Sequence, residues 1–377
     1  LRVAHVTSWL SSSGGGVSTV VQQLSHAQQT SGLEVKVFGL ADSSWPREHK
    51  SGWAGADVVA CSTIGPTAFG FSPALKKKLI EFDPDVLHCH GIWMAPTLSA
   101  RSAQSAINEC IRIVAPHGML DPWALSQSKL KKEIAAQLFE RAALRSAQFV
   151  QALCDSEAKS ILSFEPQINV RVVPNGVEQI RCEPPTRPAT IGITKTILFL
   201  GRLHSKKNIH GLLDAWKAAE ADRSGWELKI AGWGDDEYVS LLEAKVRELG
   251  IHESVKLCGP VFGSVKEQTY LSSHAFVLPS FSEGLPMAAL EAMSYGLPCL
   301  LSSECNIPDA FAAGAAMQIS TDPQILAQEL GKFLLKYDDL MRPMSIAGIR
   351  LVERSFKWSA VVSELTALYR EYSPRLV

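Results

Sequence analysis

Two carboxylates eight residues apart, Glu283 and Glu291, stand in the segment Ser282-Glu-Gly-Leu-Pro-Met-Ala-Ala-Leu-Glu-Ala-Met293. The first falls in a tight turn with Gly284 and Leu285. The second lies on the helix predicted to follow, with Pro286 suited to its first position, where a missing N–H costs little. Free backbone N–H groups at such a start, together with the helix dipole, seat a phosphate. Glu291, about two turns along, suits a neutral polyol better than an anion. An anion seat between two hydroxyl-binding acids matches the three parts of a sugar nucleotide: sugar, diphosphate and ribose.

Three further loops carry residues able to act on such a ligand. Gly201-Arg-Leu-His-Ser-Lys-Lys207 follows the apolar run Thr196–Leu200. Arg202 can fork onto phosphate oxygens, and Lys207 adds a mobile point charge. Its place directly after a buried strand favours this over a solvated basic turn. Ser11-Ser-Ser-Gly-Gly-Gly-Val17 opens a helix, where glycines let backbone approach a ligand or simply make a turn. It is not the Gly-x-Gly-x-x-Gly fingerprint and lacks the expected distal acid, so a dinucleotide cofactor is disfavoured. Pro116-His117-Gly118 ends another strand, which suits His117 to a cleft, although isolated histidines are mostly structural or exposed.

The elements positioning these loops alternate along the chain. Strands are predicted at 2–7, 34–39, 57–61, 86–90, 111–115, 149–154 and 170–173, with helices such as 17–30, 73–82 and 129–147 between them. The second half repeats the scheme: strands at 195–200, 226–231, 254–258, 275–279 and 298–302, helices near 208–220, 236–249, 264–272 and 286–295. Such alternation implies an α/β chain with parallel sheets covered on both faces, here two doubly wound domains in tandem. The seam is placed near 177–194, where Glu183-Pro-Pro-Thr-Arg-Pro188 interrupts the pattern. The expected domains are 1–178, joined by an amphipathic C-terminal helix at 356–377, and 190–355. Ligands of doubly wound sheets lie beyond the carboxyl ends of the strands.

Bulk properties narrow the function. With 377 residues, 46% hydrophobic and 20% charged, the chain reads as a soluble globular protein. A formal net charge of −1 gives no support for nucleic-acid binding. No apolar run approaches the ~18 residues that cross a bilayer, and the immediate strand-like start argues against a signal peptide. Eight scattered cysteines without a Cys-x-x-Cys pair read as buried thiols of a reducing, cytosolic compartment. The stretch with Lys129, Lys131, Lys132, Arg141 and Arg145, against Glu133 and Glu140, is either a solvated face or one that meets an anionic lipid carrier or membrane surface. Asp83-Pro-Asp85 has the look of a metal motif, but it precedes a strand and reads as the turn feeding it. His88, Cys89 and His90 could ligate a metal only from opposite faces of a strand, so a core or cleft-rim histidine pair is preferred.

Taken together these residues resemble glycosyltransferase family 4, the retaining GT-B enzymes. The resemblance rests on Gly14-Gly15-Gly16, Pro116-His117-Gly118, Val173-Pro-Asn-Gly-Val177, Gly201-Arg202 with Lys207-Asn208, Gly259-Pro260-Val261, and Glu283 with Glu291. The closing Phe356-x-Trp358 segment resembles the family's crossover helix. By that resemblance Arg202 and Lys207 would grip the donor diphosphate, Glu283 the sugar hydroxyls and Glu291 the ribose. Backbone at Gly284-Leu285 would complete the phosphate seat, the Gly259–Val261 turn would face the base, and His117, Gly15 and Gly16 would lie near the sugar and phosphates. The resemblance implies a UDP- or GDP-sugar donor, no cofactor and no metal, with a saccharide or polyprenyl-linked glycan as acceptor. The His117–Trp123 run looks like members that build exopolysaccharide, capsule or O-antigen. Leu285-Pro286 departs from the Phe-Gly of many relatives and bears on donor preference. A sugar-nucleotide epimerase of the same fold and a non-catalytic sugar-nucleotide binder are the alternatives.

Overall fold

The computed structural model describes residues 1–11, 14–45, 53, 55–181, 183–184, 194–373 and 375, so most of the proline-rich seam falls outside the described residues. The chain divides into two compact units, Leu1–Gly176 with Trp358–Val377, and Val177–Lys357.

The first unit is a seven-stranded parallel sheet of β1 (Arg2–Trp9), β2 (Glu34–Leu40), β3 (Asp57–Cys61), β4 (Val86–His90), β5 (Ile111–Ala115), β6 (Phe149–Ala152) and β7 (Val170–Val172). Its order is β3-β2-β1-β4-β5-β6-β7. Central strands β4 and β5 are buried along their whole length, as expected of a sheet covered on both faces. The helix Gly15–Thr30 buries Val20, Val21, Leu24 and Gln28 against it at helical spacing. The C-terminal helix Trp358–Tyr372 buries Trp358, Val361, Val362, Leu365 and Tyr369 in the same core. Gly176 allows that approach, since a Cβ there would stand 2.5 Å from the Trp358 ring.

The predicted helix 129–147 is instead Lys129–Ala135 and Arg141–Arg145, joined by a π-turn over Ala136–Glu140. The basic face is also less free than the sequence suggests. Glu140 is fully buried, and Arg141 and Arg145 both pair with Glu165 at 3.4 and 2.9 Å. Asp83 and Asp85 do form the turn before β4; Arg375 pairs with them at 3.0 and 3.2 Å.

The second unit is a six-stranded parallel sheet: β8 (Lys195–Leu200), β9 (Trp226–Ala231), β10 (Val255–Gly259), β11 (Ala275–Leu278), β12 (Cys299–Ser302) and β13 (Ala316–Ile319). The order β10-β9-β8-β11-β12-β13 reverses direction between β8 and β11. A doubly wound sheet opens a crevice at such a switch, beyond the carboxyl ends of the two strands. Gly232 shapes this edge: at φ +150°, its missing Cβ would fall 1.8 Å from the Gly201 carbonyl oxygen. Only a glycine there lets the β9 turn lie against the β8 turn. Of the seven described cysteines six are buried; Cys258, on β10, is exposed.

Candidate active site

The two loops that leave the switch point of the second unit bring Lys207 and Glu283 together. After β8 the chain makes a short 3₁₀ turn, Ser205–Lys207, ended by Asn208 in the left-handed conformation. Asn208 holds that turn by donating to the Thr321 carbonyl at 2.8 Å. After β11 the Phe281 N–H donates to the Lys206 carbonyl at 2.9 Å, which ties the two loops to each other. Glu283 is fixed through its backbone on both sides: its N–H donates to the Glu304 carbonyl at 2.9 Å, and its carbonyl accepts from Asn306. Lys207 Nζ then meets Glu283 Oε1 at 2.6 Å, with side chains 17% and 8% exposed. An ion pair so little hydrated is strongly coupled, and either partner released from it seeks a new counter-charge.

Arg202 sits on the same loop but faces outward, its guanidinium stacked 5.0 Å from the Trp233 ring centre. Its charge is felt inside the loop nonetheless. Burial lowers the His204 pKa, followed by repulsion from Arg202 and, more weakly, Lys206 and Lys207, while Asp235 opposes them. The loop is thus a cluster of cations with an unprotonated imidazole among them. Gly201 lies beside it: a Cβ there would touch only the Lys207 Cε, at 3.9 Å.

Glu291 occupies the second turn of the helix Met287–Ser294. Pro286 is not the first helical residue but its cap, and the Ala289 N–H donates to its carbonyl at 3.0 Å. Glu291 does not contact Glu283. Its Oε1 meets Lys266 Nζ at 2.7 Å, and its Oε2 accepts from the Tyr270 hydroxyl at 2.7 Å. Tyr270 is fully buried and stacks on Tyr295 with ring centres 4.9 Å apart. Burial and the adjacent carboxylate push its hydroxyl pKa well up, so it remains a donor. The carboxylate is oriented from behind and keeps lone pairs for further hydroxyl groups. Lys266 and Tyr270 carry no signal in the sequence, because their contact with Glu291 arises only when the helix Gly263–Ser272 packs on it. Gly259 ends β10 with φ +68° and accepts from the Gly232 N–H at 2.8 Å; Val261 is partly buried in the turn beyond. Gly284 and Leu285 lie between Glu283 and the helix, both half-buried.

In the first unit, Gly15 and Gly16 begin the helix Gly15–Thr30, with Gly15 at φ +57° and open space where either Cβ would stand. His117 follows β5 in the left-handed conformation at φ 53°. The next residue is held by a buried carboxylate, Glu157, which accepts the N–H of Gly118 at 2.6 Å and that of Leu153 at 2.7 Å. Nearby His5, His88 and His90 are buried on one face of adjacent strands, and these are the grouped metal-ligand types among the described residues.

Two doubly wound parallel domains in tandem are the domains of the GT-B fold. The chain belongs to glycosyltransferase family 4: residues 15–176 match the family described as "Glycosyl transferase 4-like domain" and residues 189–348 that described as "Glycosyl transferases group 1". It is 25% identical to GDP-mannose:cellobiosyl-diphosphopolyprenol alpha-mannosyltransferase of Komagataeibacter xylinus over 98% of this chain and 93% of that one. It is 28% identical to lipopolysaccharide 1,6-galactosyltransferase of Salmonella typhimurium over 77% of each. Among solved structures it is similar in fold to Anabaena HepE in complex with UDP and glucose, with a TM-score of 0.77, 16% identity, and coverage of 98% of this chain and all of that one. The activity is glycosyl transfer.

Proposed function

We propose that the protein is a metal-independent, retaining hexosyltransferase that moves a sugar from a UDP- or GDP-sugar to a hydroxyl of a growing saccharide or polyprenyl-linked glycan. The observation that carries this reading is the Lys207–Glu283 pair at the switch point. A donor diphosphate would draw Lys207 toward its oxygens, freeing the Glu283 carboxylate to accept hydrogen bonds from the sugar hydroxyls. Arg202 would add a second cation, and Glu291, held by Tyr270 and Lys266, would take the ribose hydroxyls. As the anomeric C–O bond breaks, negative charge grows on the β-phosphate, where the two cations stabilise it in place of a divalent metal. In front-face transfer the departing phosphate oxygen takes the proton of the acceptor hydroxyl while that hydroxyl oxygen bonds to the anomeric carbon. Gly284 and Leu285 would line the phosphate seat, Gly201, Gly259 and Val261 the nucleotide, and His117, Gly15 and Gly16 the sugar side. One relative is named for GDP-mannose and a cellobiosyl-diphosphopolyprenol, and HepE, similar in fold, was captured with UDP and glucose.

The test is thermal-shift screening of UDP-, GDP- and ADP-sugars, followed by transfer assays in excess EDTA. A specific donor raises the melting temperature, transfer survives EDTA, and proton NMR of the product shows the donor's anomeric configuration. Inverted product, or activity lost to EDTA and restored by a divalent ion, refutes the mechanism. Acceptor-independent turnover to an epimerised sugar nucleotide would favour the epimerase instead.

We also propose peripheral membrane contact through residues 129–145. Leu130, Ile134 and Leu138 recur every four residues and are 71%, 52% and 74% exposed, an apolar stripe on a basic segment. Among the described residues no helix is long and apolar enough to cross a membrane. Co-sedimentation with anionic vesicles that survives L130S/I134S/L138S would refute this contact.

A further inference from the structure

We infer that one buried, directional chain of hydrogen bonds, running from the Tyr369 hydroxyl through Gln28, His5 and His90, fixes the tautomer of His117: Nε2 carries the proton and Nδ1 presents a lone pair. The chain lies wholly within the first unit. His5 on β1 and His88 on β4 are paired in register, and His90 follows on the same face. The His88 and His90 rings stack at 4.3 Å, and His117 stacks on His90 at 5.3 Å.

The links are explicit. His117 Nε2 meets His90 Nδ1 at 3.0 Å, His90 Nε2 meets His5 Nδ1 at 2.8 Å, and His5 Nε2 meets Gln28 Oε1 at 2.7 Å. Gln28 Nε2 donates to the Tyr369 hydroxyl at 3.2 Å, and that oxygen lies 2.8 Å from His88 Nδ1. At the far end His88 Nε2 and Gln151 Oε1 are both buried without a hydrogen-bond partner among the described residues. Gln151 Nε2 donates to the Val173 carbonyl at 2.9 Å.

Burial lowers the pKa of His5 and His117 to about 4 and holds His88 and His90 well below the usual imidazole range. All four rings are therefore neutral near pH 7, each with one donor and one acceptor. With rings alone, the chain could run in either direction. The Gln28 amide breaks the tie: its Nε2 donates to the Tyr369 hydroxyl, which leaves Oε1 only to accept. The Tyr369 proton remains for His88 Nδ1. Gln28 Oε1 accepts from His5 Nε2, His5 Nδ1 from His90 Nε2, and His90 Nδ1 from His117 Nε2. The proton of His117 is thereby committed, and its Nδ1, which has no protein partner among the described residues, is an acceptor. A metal is a poorer account of the cluster: two ligands of a tetrahedral zinc stand about 3.4 Å apart, whereas His5 Nδ1 and His90 Nε2 are 2.8 Å apart.

The consequence for the reaction rests on the reading of His117 as lying near the donor sugar. There a fixed acceptor selects a hydroxyl that donates and orients it before transfer. Gln28 and Tyr369 act as positioning residues. The chain also gives the C-terminal helix a function beyond packing, since it contributes Tyr369.

The test is long-range ¹H–¹⁵N correlation on ¹⁵N-histidine-labelled full-length protein without ligand, with His117 assigned by its loss in H117Q. The expected spectrum shows Nδ1 at the unprotonated position and Nε2 at the protonated one. Tyr369→Phe removes the acceptor that orients the Gln28 amide, and both His117 nitrogens shift toward intermediate positions as two tautomers mix. Gln28→Met does the same, while Gln28→Glu, which can only accept from His5, keeps the wild-type pattern. Thermal unfolding confirms that each variant is folded, and the Tyr369→Phe and Gln28→Glu pair suffices should Gln28→Met not fold. A wild-type spectrum with Nδ1 protonated, an unchanged single tautomer in Tyr369→Phe, or a stoichiometric bound metal overturns the inference. Adding donor then tests the other reading separately: a His117 spectrum unmoved by saturating donor removes its place near the sugar and leaves the tautomer result intact.

Discussion

Replacing Lys207 by Met should damage stability and catalysis by different routes, and a second substitution separates them. The Glu283 side chain is 8% exposed and has Lys207 Nζ at 2.6 Å as its counter-charge. Its backbone is pinned by Glu304 and Asn306, so it has little freedom to swing into water. Removing one partner of a fully buried pair costs about 3–5 kcal/mol. With Lys207 17% exposed, some water reaches the site, and a cost of about 2–3 kcal/mol is expected. In a unit of this size that lowers the melting temperature by about 4–12 °C. Adding Glu283→Gln removes the stranded charge and should return stability to within about 1 kcal/mol of wild type. Catalysis should not return. Loss of one preorganised charge on the leaving group costs about 10²–10³ in kcat, and the double variant also lacks the carboxylate for the sugar. Differential scanning calorimetry and nucleoside-diphosphate release at saturating donor read the two effects. A double variant that regains kcat, or a Lys207→Met enzyme within about threefold of wild type, would refute the assignment of this pair to the leaving group.

Tyr270→Phe removes the hydroxyl that orients Glu291 Oε2; a hydrogen bond to a charged group contributes about 1.5–3 kcal/mol. Part of it bears on the ribose, so donor KM should rise about tenfold with kcat nearly unchanged, and a fall in kcat at constant KM would contradict that role. Acid should weaken the first unit. His5, His88, His90 and His117 all have depressed pKa values, so below about pH 6.5 the unfolded chain binds protons that the folded one refuses, down to about 4 for His5 and His117. Buried Glu140, raised to about 7, and Glu157, also raised, act the opposite way. Four groups against two leave a net loss of up to about 2.7 kcal/mol per pH unit as pH falls from 6.5 toward 4.5. Urea midpoints across that range measure it, and stability that holds constant or rises toward pH 5 would disprove the balance.

The strands that a sequence displays are those with long apolar runs and a glycine or proline at each end. Strands β4, β5, β8 and β9 fall where the pattern of apolar residues puts them, because β4 and β5 bury every side chain and β8 and β9 all but Lys195, Glu227 and Lys229. Strand β13 is not legible: Ala316-Met-Gln-Ile319 is four residues long, edges the sheet and has only Ala316 and Ile319 buried. The helices from Pro308 to Leu351 are likewise unread, and one of them, Tyr337–Leu351, runs through Pro343. At the candidate site the sequence displays the residues on loops that follow strands, Lys207 and Glu283 among them. It conceals Lys266 and Tyr270, whose relation to Glu291 is made by packing. It also conceals the groups that stand behind the histidines, because Gln28 and Tyr369 are 341 residues apart and each looks, alone, like one polar residue on an amphipathic helix.

That difference follows from what each kind of residue must do. A charge that meets a ligand has to stand at the open end of a strand, and the strand announces it. A group that orients such a charge has to be buried, and burial makes a polar residue costly unless every donor and acceptor is matched. The matching partners come from wherever the fold brings backbone together: a helix after β1 and the helix that ends the chain. The histidine chain is therefore a stronger constraint on the first unit than its length suggests. Tyr369, Gln28, His5, His90 and His117 satisfy one another in series, and exchanging any one for a residue of the wrong donor or acceptor type leaves an orphan in the core. The same logic explains why Tyr369 and Gln28 hydrogen-bond each other and not water. The polar contact adds specificity to an apolar docking face, requiring that the C-terminal helix seat in a single register before the His117 loop has its proton in place.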